Sequence, residues 1–488
     1  MTTRKLFGRI GRLAGITALT LTAGALGCVS TEEASTDDVT DIPHTSVKNQ
    51  SIGNCWVYAT LGWVESMRLT HAGEELNLSE SYISYWHWFE QIHGGGAGEQ
   101  QLAKMDSKDG GYELNTGGWF AVAVELISRY GMIDEGIFIP AEAEDATSAR
   151  QKTALAAINK SLKEGALKSA EARRDASVVR AELDKAWGLT PEVSQLLTDV
   201  FGAGVDRTLY DNPPIPEGSG LLVASDLEIG HDGQGKKLSL ADAIGKPSYS
   251  YWGPPTHSGA YAWGERDYPT SANARRNFQI EIQKAMHRRL PAIMTWYVDF
   301  AALENDNSFR APPASPGRQG GHMTPVYDYE IENVPGYGTL PAFETVTDPA
   351  ILEAALSPEA KITKIIIKNS WGASLSPDPG QGDELKGYYE LWTTYLDAKI
   401  PKEGGGYAWG LSGVVLPPDT FFSGGGSSEE EEPVGACAHD LCETGSFLDP
   451  ACDPCAAAII EEDPFCGENS WDSYCVEAVS TVCGQTCN

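Results

Sequence analysis

Two periodicities divide the chain. Between residues 146 and 200 apolar positions recur at helical spacing: Leu155, Ile158 and Leu162 share one face, as do Val179, Leu183 and Trp187. Alanine is frequent there, which suits helices. Val57-Tyr58-Ala59-Thr60-Leu61 reads as the start of another helix. Further along, apolar runs shorten to strand length at Ala292 to Phe300, Pro325 to Glu332, Lys364 to Lys368 and Gly387 to Trp392. A helical first half and a strand-rich second half predict an α+β domain of two lobes, with 146–200 as a helical insertion. No segment repeats at a solenoid period. No apolar run beyond residue 30 approaches the roughly 18 residues that a membrane-spanning helix needs.

The ends of the chain follow other rules. Arg4, Lys5, Arg9 and Arg12 precede the uncharged, largely apolar stretch Ala14 to Gly27, the pattern of a secretory signal peptide over residues 1–27. Ala25 and Gly27 suit cleavage before Cys28. A cysteine at that place is where a bacterial lipoprotein carries its lipid, although the leucine here stands two residues before it where three is usual. Residues 28–43 hold Glu32, Glu33, Asp37, Asp38 and Asp41 without a basic residue and read as a solvated tether. After a main domain over 44–420, residues 421–433 combine a Gly/Ser run with Glu429 to Glu432 and form a self-repelling linker. Residues 434–488 are a separate cysteine-rich unit.

Of ten cysteines, eight lie between Cys437 and Cys487, and the other two are Cys28 and Cys55. The eight can pair among themselves in an oxidising compartment, which favours disulfides over a zinc site at Cys452, Cys455 and His439. Eight cysteines allow 105 pairings, so no bridge is assigned. From Pro433 onward there are ten acidic residues and no Lys or Arg, too little apolar material for a core without staples.

Composition narrows the function. The length of 488 residues corresponds to about three ordinary domains. Hydrophobic residues make up 41%, enough for a packed core. The net charge of −32 argues against a nucleic-acid partner, whose binding surface should be basic. The insertion runs the other way, with nine Lys/Arg against five Asp/Glu between 146 and 187. A solvated helical face accounts for this more simply than a substrate-steering surface does.

Chemistry concentrates in three places. Gln50-Ser51-Ile52-Gly53-Asn54-Cys55-Trp56 leads into the first helix. A thiol at a helix N-terminus meets the positive end of the macrodipole, which favours thiolate. An upstream glutamine can donate to a developing oxyanion together with the cysteine N–H. Taken alone, Cys55 could equally be a small buried hydrophobe. Gly320-Gly321-His322-Met323-Thr324 enters a strand, and Ile365-Ile366-Ile367-Lys368-Asn369-Ser370-Trp371-Gly372 leaves one for a polar turn. His44, His71, His87, His93, His231, His257 and His287 lack such a frame and read as surface or packing residues.

In this order and these frames the chain resembles the papain-like (C1) cysteine peptidases. The resemblance covers most of 44–420, with Asn77-Leu78-Ser79-Glu80 and Asn115-Thr116-Gly117-Gly118-Trp119 as further islands. It implies a two-lobed papain-like fold with Cys55 as nucleophile, His322 as base and Asn369 as the group orienting that base. It further implies Gln50 in the oxyanion hole, Trp371 as a cover, Gly117 and Gly118 pairing with substrate backbone, and neither cofactor nor metal. The implied activity is hydrolysis of peptides or proteins through a thioester, in an exported, envelope-anchored or extracellular protein. Three departures stand out. Gln50 precedes Cys55 by five residues, one fewer than usual, and the upstream disulfide cysteine of secreted members is absent. The 267 residues from Cys55 to His322 exceed the papain spacing of about 130 to 150. That length, the insertion, and Leu126 to Gly131 are more similar to the bleomycin hydrolase and aminopeptidase C branch. Residues 434–488 resemble cysteine-rich tails of myxobacterial extracellular proteins. A catalytically silent surface-binding lipoprotein, and a transpeptidase or amidase using the same residues, are the alternatives.

Overall fold

A computed structural model describes residues 42–94, 105–108, 111–143, 148–250, 253–344, 346–373, 386–423 and, with short breaks, 440–487. The signal segment, Cys28, nearly all of the tether, most of the 421–433 linker, Cys437 and His439 lie outside the described residues.

Helix α1 (Cys55–Ala72) runs through the middle of the helical lobe and is apolar around most of its circumference, with Trp56, Val57, Trp63, Val64 and Met67 all buried. It stops at Gly73, whose left-handed φ of 65° lets its N–H reach the Leu69 carbonyl. Helix α2 (Glu80–His93) starts where the Ser79 side chain accepts from the Tyr82 N–H at 3.1 Å. It is aromatic nearly throughout, and Trp86 stacks at 3.9 Å on Tyr130 of α3 (Phe120–Tyr130).

The insertion is helical as expected: α4 (Ala149–Glu164), α5 (Ala176–Trp187) and α6 (Pro191–Phe201). Ile158, Leu162, Val179, Leu183 and Trp187 are buried, and Leu155 is partly so. Lys152, Lys160, Lys163, Lys168 and Lys185 are exposed, which is the solvated face read from the sequence. Arg180 is the exception. It is buried, donates to the Tyr85 hydroxyl and the carbonyls of Ser194 and Gly202, and ties the insertion to α2.

The second lobe pairs helix α7 (Ala272–His287) with an eight-stranded sheet among the described residues. Its main strands are β1 (Gly264–Asp267), β2 (Ile293–Asp299), β3 (Ser308–Phe309), β4 (Gln319–Val334), β5 (Lys361–Lys368), β6 (Tyr388–Trp392) and β7 (Leu411–Leu416). Their order across the sheet is β3-β6-β5-β4-β2-β7-β1, antiparallel except for β3 with β6, and Gly338–Leu340 pairs with β4 off this path. Strand β4 begins at Gln319, six residues before the expected Pro325. Its first half is held by β2 in unbroken register from Asp299↔Gln319 to Ile293↔Pro325, so ladder hydrogen bonds hold glycines that have little strand propensity of their own. Its second half pairs with β5, from Val326↔Ile367 to Glu332↔Lys361. One strand thereby carries His322 on one half and meets the Asn369 strand on the other.

Within the cysteine-rich unit, α8 (Pro454–Glu462) and α9 (Ser473–Val482) enclose Leu448, Ile459, Trp471 and Val479. Disulfides join Cys442 to Cys487, Cys455 to Cys483 and Cys466 to Cys475, and Cys452 is disulfide-bonded as well. With Cys452 and Cys455 both oxidised, the thiolates of a zinc site are gone. Cys55 is the free cysteine among the described residues.

Candidate active site

Cys55 is the first residue of α1, half-buried. Asn54 holds the N-cap position but does not cap. Its amide turns instead to Ser84 Oγ and Gln151 Oε1, at 3.0 Å each. The first-turn N–H groups of α1 are therefore not taken by the Asn54 side chain, and the thiol sits at that positive end. Burial pushes the Cys55 thiol up, while backbone hydrogen bonds from Met323 and Trp56 pull it back. Met323 follows His322 on β4, so the sulfur lies within hydrogen-bonding reach of the strand that carries the base.

His322 is 5% exposed, and its Nε2 lies 2.9 Å from Asn369 Oδ1. An amide oxygen only accepts, so Nε2 carries the proton and Nδ1 keeps its lone pair. Asn369, at the end of β5, also accepts the Ser370 N–H at 2.8 Å, which fixes its amide plane. Trp371 stacks on the imidazole with centroids 4.8 Å apart and planes 21° from parallel, and Trp296 meets it edge-on at 5.5 Å. Burial pulls the His322 pKa down to about 4, with the Asn369 bond opposing. Desolvation thus favours a neutral thiol and a neutral imidazole at rest.

Gln50 is tied to the asparagine turn by a short bridge. Gln50 N–H donates to the Ser370 carbonyl at 2.8 Å, Gly372 N–H donates to the Lys48 carbonyl at 3.2 Å, and Asn49 pairs with Trp371. The Ser370 hydroxyl donates to Gln50 Oε1 at 2.5 Å. Gln50 Nε2 donates to the Ile52 carbonyl at 2.9 Å, within the shortened loop. One amide hydrogen is thereby engaged, and the second is the one an oxyanion would use.

Gly117 and Gly118 meet the site through Trp56. The indole N–H donates to the Thr116 carbonyl at 2.9 Å, and a Cβ on Gly118 would stand 2.5 Å from the indole ring. Only glycine lets this backbone pass so close to the residue after Cys55.

Beneath the site lies a buried charge cluster. Lys48 Nζ donates to the Leu78 carbonyl at 2.7 Å and lies 3.1 Å from Glu80, 3.4 Å from Glu65 and 3.5 Å from Glu135. Burial opposes the Lys48 charge, but the three carboxylates outweigh it and its pKa rises. Burial pushes Glu80 and Glu135 up against the pull of Lys48. Lys368, next to Asn369, is buried too and drops to about 8, chiefly by desolvation. The cluster joins α1, α2 and β5, and with them the two lobes.

Gln50, Cys55, His322, Asn369 and Trp371 are thus linked through Ser370 and the Met323 backbone, and the segment that holds Gly117 and Gly118 lies against Trp56. Ser370, Lys48, Lys368 and Trp296 were not foreseen. Ser370 sits inside a motif already marked, and Lys48 stands two residues before Gln50, but a lone lysine gives no sign of being buried until the carboxylates around it are known.

Residues 24–203 match the model of the Peptidase C1-like family, and residues 435–487 match a domain of unknown function (DUF8252). The first match takes in Gln50, Cys55, Gly117 and Gly118 but ends before His322 and Asn369. Among solved structures, PepW of Lactobacillus rhamnosis HN001 is similar at 13% identity and a TM-score of 0.36, covering 78% of this chain and 81% of that one. The bromelain protease of Ananas comosus is similar at 13% identity and a TM-score of 0.27, covering 77% and 93%. None of the curated proteins matches. The chain has a two-lobed, mixed helix-and-sheet fold with a small disulfide-bonded C-terminal unit, and its residues 24–203 are similar to the C1-like peptidases.

Proposed function

We propose that this chain is an exported cysteine peptidase that cleaves peptide bonds through a thioester on Cys55. The observation that carries the reading is the Nε2–Asn369 bond beneath Trp371. It leaves His322 Nδ1 as the basic atom, on the strand whose next residue hydrogen-bonds the Cys55 sulfur.

The sulfur attacks the peptide carbonyl carbon and its proton passes to His322 Nδ1. The carbonyl oxygen becomes an oxyanion facing the Cys55 N–H and the free amide hydrogen of Gln50, each donor contributing roughly 3 to 4 kcal/mol in comparable sites. Collapse breaks the C–N bond, and His322 returns its proton to the departing amine. Water, deprotonated by the same nitrogen, then hydrolyses the thioester and restores the thiol. Asn369 orients the ring, Trp371 keeps water from that bond, and Gly117 and Gly118 pair with substrate backbone. Because burial holds His322 neutral, the base is available well into the acidic range. The tail disulfides support export to an oxidising compartment, with Cys28 as the lipid-bearing position if the signal is that of a lipoprotein.

A silent binding role is the second reading. It draws on the engagement of Gln50 with Ile52 and on burial opposing both ionisations. Alkylation of Cys55 against pH separates the two. In wild type His322 accepts the proton, so Cys55 should react at mildly acidic pH. In His322→Ala no base takes the proton, burial outweighs the backbone hydrogen bonds, and the midpoint should move above the free-thiol value of about 8.5. Superimposable profiles in the two proteins, with no turnover of peptide substrates, would leave the binding role.

A further inference from the structure

In the proposed reaction His322 hands its proton to the departing amine, so the leaving half of a substrate lies along the His322 wall. Outward from His322 that wall is a column of rings. Trp371 stacks on His322 with centroids 4.8 Å apart, Phe300 packs on Trp371 at 4.9 Å, and the Arg318 guanidinium lies 4.0 Å over Phe300. Exposure rises along the column, from buried His322 through half-buried Trp371 and Phe300 to exposed Arg318.

Arg318 is built in, not draped over the surface. Buried Asp299 accepts the N–H groups of Ala301 at 2.9 Å and Gly317 at 3.0 Å, and the Gln319 amide at 2.6 Å. The Phe300 N–H donates to the Arg318 carbonyl at 2.9 Å. A Cβ on residue 317 would stand 2.8 Å from the Ala301 side chain and 2.9 Å from Asp299 Oδ1, so this close approach needs glycine. A desolvated carboxylate is costly, and here it fixes the backbone on both sides of one arginine. Arg68, Arg275 and Arg310 each lie against an acidic side chain, Glu74, Asp397 and Asp306 respectively. Among the described residues no carboxylate lies within 4.0 Å of the Arg318 guanidinium, even though the chain carries a net charge of −32. Held over an aromatic ring, a guanidinium keeps outward N–H groups for a planar anion.

We infer that Arg318 sets specificity on the leaving side, selecting peptides with a carboxylate within the first three or four residues beyond the cleaved bond. The ring-to-ring steps put the guanidinium no more than about 14 Å from the imidazole, the span of about four extended residues. The carboxylate is either an Asp or Glu side chain or a free C-terminus. This inference rests on the peptidase reading.

Internally quenched peptides that differ only in Glu or Gln on the leaving side, each with a free or an amidated C-terminus, test it on the full chain and on Arg318→Gln. The Glu peptide should be favoured about fivefold in kcat/KM at low ionic strength, less as salt is raised. In Arg318→Gln the ratio should fall to about one. A Glu preference with an amidated terminus assigns the side chain, and a preference for acid over amide assigns the terminus. Binding of the same peptides to Cys55→Ala, read by fluorescence anisotropy, gives the preference without turnover. Loss of hydrolysis alone therefore overturns the peptidase reading and not the specificity. Equal binding and turnover of Glu and Gln peptides in the parent protein, or a preference that survives Arg318→Gln, overturns the role of Arg318.

Discussion

Replacing Lys48 by methionine removes the ammonium at the centre of the buried cluster while keeping an unbranched stem of similar length. Three carboxylates, at 3.1, 3.4 and 3.5 Å, lose their counter-charge, and the Leu78 carbonyl loses its donor. Glu65 and Glu80 are each 1% exposed and Glu135 is 4% exposed, so water does not replace what is lost. Breaking one side of a buried pair costs about 3–5 kcal/mol. We expect about 4 kcal/mol at pH 9 by urea unfolding followed through tryptophan fluorescence. The pH dependence follows from the sign of the shifts. Burial raises Glu80 and Glu135 above the ordinary value of 4.5, and Lys48 is the main force lowering them. Without it both rise further. A group whose folded pKa is raised contributes its stability below the unfolded pKa and loses it as pH climbs through the folded one. The deficit of Lys48→Met should therefore be small near pH 4, about 1 kcal/mol for the orphaned carbonyl, and open as pH climbs through about 7 and about 8, where Glu135 and Glu80 ionise in the parent protein. A deficit below about 1 kcal/mol at pH 9, or one equal at both pH values, would show that these carboxylates do not depend on Lys48 and refute the reasoning.

Gly118→Ala forces a Cβ to within 2.5 Å of the Trp56 indole, so either the ring beside Cys55 or the 116–118 backbone must move. Peptide turnover should fall at least about tenfold, a misplacement effect, with the far-ultraviolet circular dichroism unchanged; undiminished kcat/KM would show that this approach does not matter. Thiol titration of the denatured, unreduced protein should find Cys55, plus Cys28 where it carries no lipid, because the described tail cysteines are oxidised. Six or more reactive thiols would remove the stapled tail.

Burial gives the thiolate expected at Cys55 a different footing. Helix position and a nearby histidine favour a thiolate, and both arguments can be made from the order of residues. Desolvation acts the other way, raising Cys55 and lowering His322 to about 4, and it depends on what covers the two groups. At His322, Trp371 and Trp296 do the covering, one from the turn after β5 and one from β2. The rings that shield the His322–Asn369 bond from water also resist the charge on the imidazole.

Residue order alone determined the α+β class, the helical insertion and its solvated lysine face, the cysteine-rich unit, and the motifs around Cys55, His322 and Asn369. Each is legible because its cause is local: side-chain spacing sets a helix face, glycine permits a turn, and cysteine density marks a small stapled unit. Tertiary structure decided the rest. His322 and Asn369 are brought together because β4 pairs with β2 through one half and with β5 through the other, a register that no short window contains, and Cys55 meets β4 from α1 at the Met323 backbone. The bridge from Lys48–Gln50 to Ser370–Gly372 decides what the Gln50 amide binds. It also places Lys48 among three carboxylates contributed by separate parts of the chain. Asp299, in the strand predicted over Ala292 to Phe300, and Gly317 stand 18 residues apart, and nothing in the order of residues links them until the fold closes them around Arg318. Charge and orientation in this protein are set by what is buried against each group, and burial is a property of the assembled lobes.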